Sequence, residues 1–159
     1  MNENNLEKII NNIVGDAIVK EVMSLKLAVK LIETVEEKAA EMGLAGVVAV
    51  SDASGRPIAV HCMDGAYHGS FDVAVNKTYT STAFQMSTAK LSRLCQPGQD
   101  LYGLQFSNNG KVMILGGGEP LMVGKTMIGA LGVSGGSAQE DSDLAAYGAS
   151  ALKEVIKCL

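Results

Sequence analysis

The 159-residue chain has no tryptophan and only 4% aromatic residues, so its core must be aliphatic, with eight methionines as adaptable filler. It has no apolar run of the roughly 18 residues that a membrane-spanning helix needs. No stretch is strongly basic, and 13 basic against 17 acidic residues give a formal charge of −4. These absences argue against a membrane or a nucleic-acid partner. The 47% hydrophobic content excludes intrinsic disorder and predicts one globular domain.

Cysteine is also scarce. Cys62, Cys95 and Cys158 are odd in number and have no CxxC spacing, which excludes a disulfide framework and a standard zinc site. Free thiols are typical of a reducing compartment. The stretch from Met1 to Lys8 lacks the basic start of a secretory signal. We therefore expect a cytoplasmic protein.

The N-terminus differs in pattern from the rest of the chain, and we divide it into an extension over residues 1–23 and a domain over residues 24–159. Apolar residues recur at helical spacing in the extension, with polar residues between them. The apolar positions are Leu6, Ile9, Ile10, Ile13, Val14 and Ala17. Because so short a helix is marginal alone in water, it needs a surface for its apolar face.

The remaining pattern predicts an α+β fold. Helices are expected at about residues 25–42, 71–84, 88–95 and 138–157, with Ser24, Ser70, Ser87 and Ser137 as caps and Glu140 completing a capping box. Strands are expected at residues 44–51, 57–63, 111–115, 121–123 and 126–134. Successive hairpins predict a central antiparallel sheet of about five strands, flanked by helices.

Two glycine clusters are candidates for anion binding. The runs 116–118 and 135–136 can present backbone N–H groups to a phosphate or carboxylate, and the second leads into a helix N-terminus. The alternative is a pair of tight strand ends that need positive φ. Lys77, inside a predicted helix, either reaches an anion or is a surface lysine with a buried stem.

The two histidines, His61 and His68, lie in the densest cluster of soft ligand atoms, beside Cys62 and Met63. Histidine, methionine and thiolate are the usual axial ligands of haem iron. Alternation along a strand places His61 and Met63 on one face and Cys62 on the other. The alternative is a structural or surface role for each histidine.

No catalytic constellation is visible. The run Gly132-Val133-Ser134-Gly135-Gly136 lacks the setting of a nucleophile elbow, and no two carboxylates are paired by spacing. The sequence therefore favours a binding protein over an enzyme.

Several motifs occur together in one order: Met63-Asp64-Gly65-Ala66, Lys77, Gly117-Gly118-Glu119-Pro120, and the glycine-rich run 129–136 followed by Gln139-Glu140-Asp141. This set resembles the GlcG/HbpS family, also called haem-degrading or DUF336, which is similar to the C-terminal domain of PduO-type corrinoid adenosyltransferases. The similarity covers about residues 24–159. It implies a profilin-like fold and homo-oligomers, octamers among them. The family usually has arginine where this chain has Cys62.

The resemblance implies an oligomeric, tetrapyrrole-binding accessory protein, linked to cobalamin-dependent diol or glycerol metabolism, with haem or a corrinoid as cofactor. His61 and His68 are alternative ligands of the haem iron in this interpretation. The other candidate cofactor-binding residues are Met63, Asp64, Lys77, Gly117, Gly118, Ser134, Gly135 and Gly136.

Residues 4–14 resemble an encapsulation peptide of bacterial microcompartments, which implies a shell protein as partner and a location inside a microcompartment. The alternative is a helix packed on its own domain or on a neighbouring subunit. A second functional hypothesis follows, a cargo or structural accessory protein without small-molecule chemistry. An enzyme of unknown substrate is the third.

Overall fold

The structure is a computed structural model that describes residues 22–159, so the helix predicted near residues 6–14 lies outside the described residues. The described chain contains four α-helices, α1 (Leu25–Glu41), α2 (Ser70–Phe84), α3 (Thr88–Leu94) and α4 (Ala138–Lys157). Its four strands are β1 (Val47–Asp52), β2 (Pro57–Cys62), β3 (Gly118–Val123) and β4 (Thr126–Ser134). Two single-turn 3-10 helices, Leu104–Phe106 and Asn108–Gly110, lie between α3 and β3.

The strands form one antiparallel sheet in the order β2-β1-β4-β3, which confirms the α+β prediction. Val48 of β1 lies opposite His61 of β2 and opposite Val133 of β4. The described sheet therefore has four strands rather than about five, and β2 and β3 are its edges.

The missing strand is the one predicted at residues 111–115, and that prediction is wrong. Val112 is buried with Leu91 and Cys95 in a small cluster apart from the main core. The Met113 N–H donates to the Thr80 hydroxyl on α2, at 2.8 Å. This segment therefore satisfies its backbone through a helix side chain instead of a strand ladder.

Helices cover both faces of the sheet. On one face α1 and α4 pack together over the strands, and the main core lies between them. Its larger members are Leu27, Leu31, Ile32, Val35, Leu131, Leu144 and Leu152. On the other face α2 covers a smaller cluster of Val47, Ala49 and Ala74 and buries the hydroxyl groups of Thr78, Thr80, Ser81 and Thr82.

The helix starts follow the local sequence signals. Ser24 caps α1 and Ser87 caps α3, each accepting a hydrogen bond from the backbone N–H three residues on. Ser137 and Glu140 form the predicted capping box of α4. The prediction for Ser70 is wrong, because α2 already begins at this residue and has no side-chain cap. Within residues 22–159, no helix is both long enough and apolar enough to cross a bilayer.

Candidate functional site

The residues around the two histidines lie at one end of the sheet. Val47, the first residue of β1, pairs with Cys62 on one side and with Ser134 on the other. The start of β1 therefore lies between the last residues of β2 and β4, at the same end of the sheet. The Ser134 hydroxyl lies 3.2 Å from that of Ser70, which joins the start of α2 to the same place. We call residues 61–71 with Ser134 the histidine end of the sheet.

His61 is held by a carboxylate from α1. Its Nδ1 lies 3.2 Å from both Oε1 and Oε2 of Glu36. Because a carboxylate only accepts, Nδ1–H donates to Glu36, and in the neutral ring the Nε2 lone pair is left for another partner. Metal-binding imidazoles usually show this arrangement. Met63 shares the face of His61 and packs on the main core, while Cys62 is exposed.

His68 lies in the loop between β2 and α2 and is exposed. Tyr67 beside it is 73% exposed, and Phe71, one turn further on, is 45% exposed. The loop also carries Asp64, exposed in a turn. His68 therefore stands among aromatic side chains that water reaches, whereas the His61 ring is directed towards α1.

The donor set at this end fits a haem iron better than a bare metal ion. Between residues 22 and 159, no group of three or more His, Cys, Asp or Glu side chains is arranged to hold a metal. Haem needs only one or two axial ligands from the protein, because the porphyrin supplies the other four nitrogens. A single imidazole meets that requirement.

The predicted anion-binding residues form a different, buried cluster. The Lys77 side chain is 1% exposed. Its Nζ donates to the Val133 carbonyl oxygen at 2.6 Å and to Asp141 Oδ2 at 2.8 Å. Burial lowers the pKa of Lys77, and the hydrogen bond to Asp141 offsets part of that effect. The interpretation of Lys77 as a surface lysine is wrong.

The Asp141 side chain also binds the second glycine cluster, residues 135–136. Its Oδ1 accepts hydrogen bonds from the N–H groups of Gly135 and Gly136, at 3.1 and 2.9 Å. The anion at this helix N-terminus is thus a carboxylate of the chain itself. A ligand anion would have to displace it, and such binding stays a prediction for these glycines.

The first glycine cluster passes close to the same ion pair. Gly117 has φ +114°, and a Cβ there would lie 2.6 Å from the Val133 oxygen and 2.8 Å from Lys77 Nζ. Gly118 donates its N–H to the Thr88 hydroxyl, at 2.8 Å. For Gly117 the structure therefore supports the alternative of a tight strand end. We call this cluster the Lys77–Asp141 junction.

The sequence interpretation named Asp141 only as part of a family motif and not as the partner of Lys77. It missed Glu36 altogether, since neither carboxylate is near its partner in sequence. Asp141 lies 64 residues from Lys77, and Glu36 lies 25 residues from His61. One available signal was the setting of Lys77, because its neighbours in the helix are small or carry hydroxyl groups. This setting could have indicated a buried lysine that needs a carboxylate partner.

A groove at the opposite edge of the sheet was also missed. It has a volume of about 720 Å³ and lies beside β3, between α3 and the β3–β4 hairpin. Its lining includes Met86, Met122, Met127, Lys90, Lys125 and Glu119. Burial raises the pKa of the Glu119 carboxyl. Met122 lies directly opposite Met127 in the hairpin, which is the signal that could have indicated a thioether-lined surface.

The chain is similar to a known protein family and to proteins of bacteria. The family model described as haem-degrading protein, HbpS-like, matches residues 23–150. A 15.0 kDa protein of the dhaT–dhaS intergenic region in Citrobacter freundii is 38% identical over 123 residues, which cover 77% of this chain and 87% of that protein.

Two further similarities concern PduO. The corrinoid adenosyltransferase PduO of Salmonella typhimurium is 38% identical over 109 residues, covering 69% of this chain. The match spans only 32% of that enzyme's length. The crystal structure of a PduOC–haem complex superposes with a TM-score of 0.78 and 35% identity, covering 82% of this chain and 94% of that one.

Proposed function

The chain belongs to the HbpS-like family of haem-degrading proteins, and we propose that it is a haem-binding accessory protein of the GlcG/PduO type. The observation that carries this proposal is the similarity to PduOC, which crystallised with haem and is matched over 94% of its length. The family match over residues 23–150 supports it. Bound haem would supply a redox-active iron, and the chain's own residues would bind and orient it.

The histidine end of the sheet is the proposed place of binding, with His61 and His68 as alternative iron ligands. His61 is supported by Glu36, whose carboxylate fixes the ring and leaves Nε2 for the iron. His68 is supported by the exposed rings of Tyr67 and Phe71 near it in the chain, because a porphyrin can stack on exposed aromatic rings.

We assign the remaining candidate residues a supporting role. Met63 and Asp64 belong to the turn between the two histidines. The others act through the fold, because they tie β3, β4, α2 and α4 together behind the histidine end. They are Lys77, Gly117, Gly118, Ser134, Gly135 and Gly136.

A hemin titration of the full chain, followed by absorption spectroscopy, tests the proposal. We expect a saturable one-to-one shift of the Soret band that changes in either His61→Ala or His68→Ala. Met127→Leu is the matched control, because Met127 lines the groove at the other edge of the sheet. A shift that does not saturate overturns haem binding. A saturable shift that both histidine variants and the double variant leave unchanged overturns the ligand assignment.

A corrinoid is the alternative tetrapyrrole. Its support is the similarity to the corrinoid adenosyltransferase PduO, of which the match covers 32%. The proposed link to diol and glycerol metabolism rests on the resemblance of the sequence motifs to the family. A cobalamin titration under the same conditions compares the two ligands. The proposed homo-oligomer, with the octamer as one form, is measured by light scattering of the same sample.

The division into an extension over residues 1–23 and a domain over residues 24–159 is also part of the proposal. It is supported by the family match, which begins at residue 23. A shell protein as partner of residues 4–14, and with it a place inside a microcompartment, rests on the sequence of the extension.

A further inference from the structure

An apolar groove lies at the start of α1, close to the point where the described chain begins. It has a volume of about 540 Å³ and is lined by Leu25, Lys26, Val29, Lys30, Glu33 and Leu159. Leu25 is 63% exposed and Leu159 is 42% exposed. Lys26 Nζ donates to the main-chain oxygen of Leu159, the last residue of the sequence, at 3.0 Å, and this bond joins the two walls. We call this surface the α1 groove.

The chain itself supplies a segment of suitable chemistry for the α1 groove. Residues 6–14 carry leucine, isoleucine and valine at helical spacing on one face. The described part begins at Val22, three residues before Leu25, so residues 1–21 join the described chain beside the groove. The seven residues 15–21 span at most about 25 Å when extended, which is enough for residues 6–14 to fold back over the first turns of α1.

Tethering favours the same occupant. A segment joined by a short linker has an effective concentration of about 1 mM or more at its target, so a modest apolar contact is sufficient.

We propose that residues 6–14 bind in the α1 groove of their own chain, with the isoleucine face against Leu25, Val29 and Leu159. This interaction is independent of haem, so its failure would leave the proposed function untouched. It has one consequence for any outside partner. The apolar face of the extension cannot contact the α1 groove and a shell protein at the same time. A shell protein that binds this face therefore has to displace the extension from the groove first.

Disulfide trapping in the full chain tests the proposal, since native Cys158 is exposed and adjoins Leu159. Ile10→Cys places a thiol on the apolar face, and Asn12→Cys places one on the polar face as the matched control. Under mild oxidation by diamide, we expect Ile10→Cys to link to Cys158 several-fold faster than Asn12→Cys, within one chain. Equal rates, or links found only between two chains on a non-reducing gel, overturn the proposal.

A second pair of variants tests the groove itself, in the Ile10→Cys background. Leu25→Glu introduces a charge into the α1 groove, and Leu115→Glu introduces the same charge at a leucine that is 50% exposed elsewhere. Both positions are exposed, so circular dichroism should show the fold intact in each. We expect Leu25→Glu to slow the link to Cys158 several-fold and Leu115→Glu to leave it unchanged. A link that forms equally fast in both contradicts docking in the groove.

Discussion

At the scale of single residues, Lys77 is a buried charge whose partners come from two other elements. Its ammonium group contacts a carbonyl oxygen of β4 and the Asp141 carboxylate of α4, with 1% of the side chain exposed. Removing one partner of such a pair leaves the other charge buried without compensation, which is strongly destabilising. The lysine therefore holds the fold together behind the histidine end.

We predict that Lys77→Met lowers the free energy of unfolding by about 3 kcal/mol, because Asp141 then keeps only its two glycine N–H partners. Lys90→Met, at an exposed lysine on α3, is the matched control and should stay within about 0.5 kcal/mol of the parent. Urea unfolding followed by circular dichroism measures both. A loss below about 1 kcal/mol for Lys77→Met would show that the ion pair contributes little.

The Lys77–Asp141 junction shows where prediction from sequence ends. The sequence singled out Lys77 and both glycine clusters, because glycine runs and a mid-helix lysine are visible locally. It did not pair Asp141 with Lys77, since only the fold brings positions 64 residues apart into contact. The histidines follow the same rule, because their clustering was visible and the Glu36 carboxylate at His61 was not.

At the scale of elements, α4 begins with a capping box whose Glu140 carboxyl changes its charge with pH. Hydrogen bonds from the backbone N–H and hydroxyl of Ser137 lower the pKa of Glu140 below its ordinary value. The ionised carboxylate therefore stabilises the fold above the unfolded-state pKa of about 4.3. That contribution is lost as the pH falls through the lower folded-state pKa.

We predict that Glu140→Gln, which keeps an acceptor oxygen without the charge, is less stable than the parent at neutral pH. The gap should close in acid, once the parent carboxyl is protonated and neutral as well. Urea unfolding of both proteins across an acidic pH series measures the gap. A gap of constant size at every pH would assign the effect to lost geometry instead of charge.

Local signals account for most of the element boundaries. The caps at Ser24, Ser87 and Ser137 were predictable, because each uses residues within one helical turn. The segment 111–115 was not, because its apolar side chains look like a strand. Its conformation depends on residues that are distant in sequence, namely a hydroxyl group on α2 and the small cluster around Leu91. Burial alone does not tell a strand from an extended loop.

At the scale of the whole molecule, the sheet separates two surfaces. The histidine end lies beside edge strand β2, and the methionine-lined groove lies beside edge strand β3. The α+β fold followed from the order of helices and hairpins, and the ordered motifs identified the family. The groove was not predictable, because α3 and the β3–β4 hairpin that form it are more than twenty residues apart in sequence.

In the described part of the chain, the main core takes its side chains from Met23 to Val155. We expect these side chains to be sufficient for folding without the extension. We predict that a chain of residues 22–159 folds cooperatively and binds hemin as the full chain does. Its Tm should fall by no more than about 5 °C, because a docked segment is worth about 1 kcal/mol and each kcal/mol shifts Tm by about 2–4 °C at this size. Thermal unfolding and a hemin titration of both chains measure this. If the shorter chain unfolds or loses hemin, residues 1–21 belong to the domain itself, and the division at residue 23 is wrong.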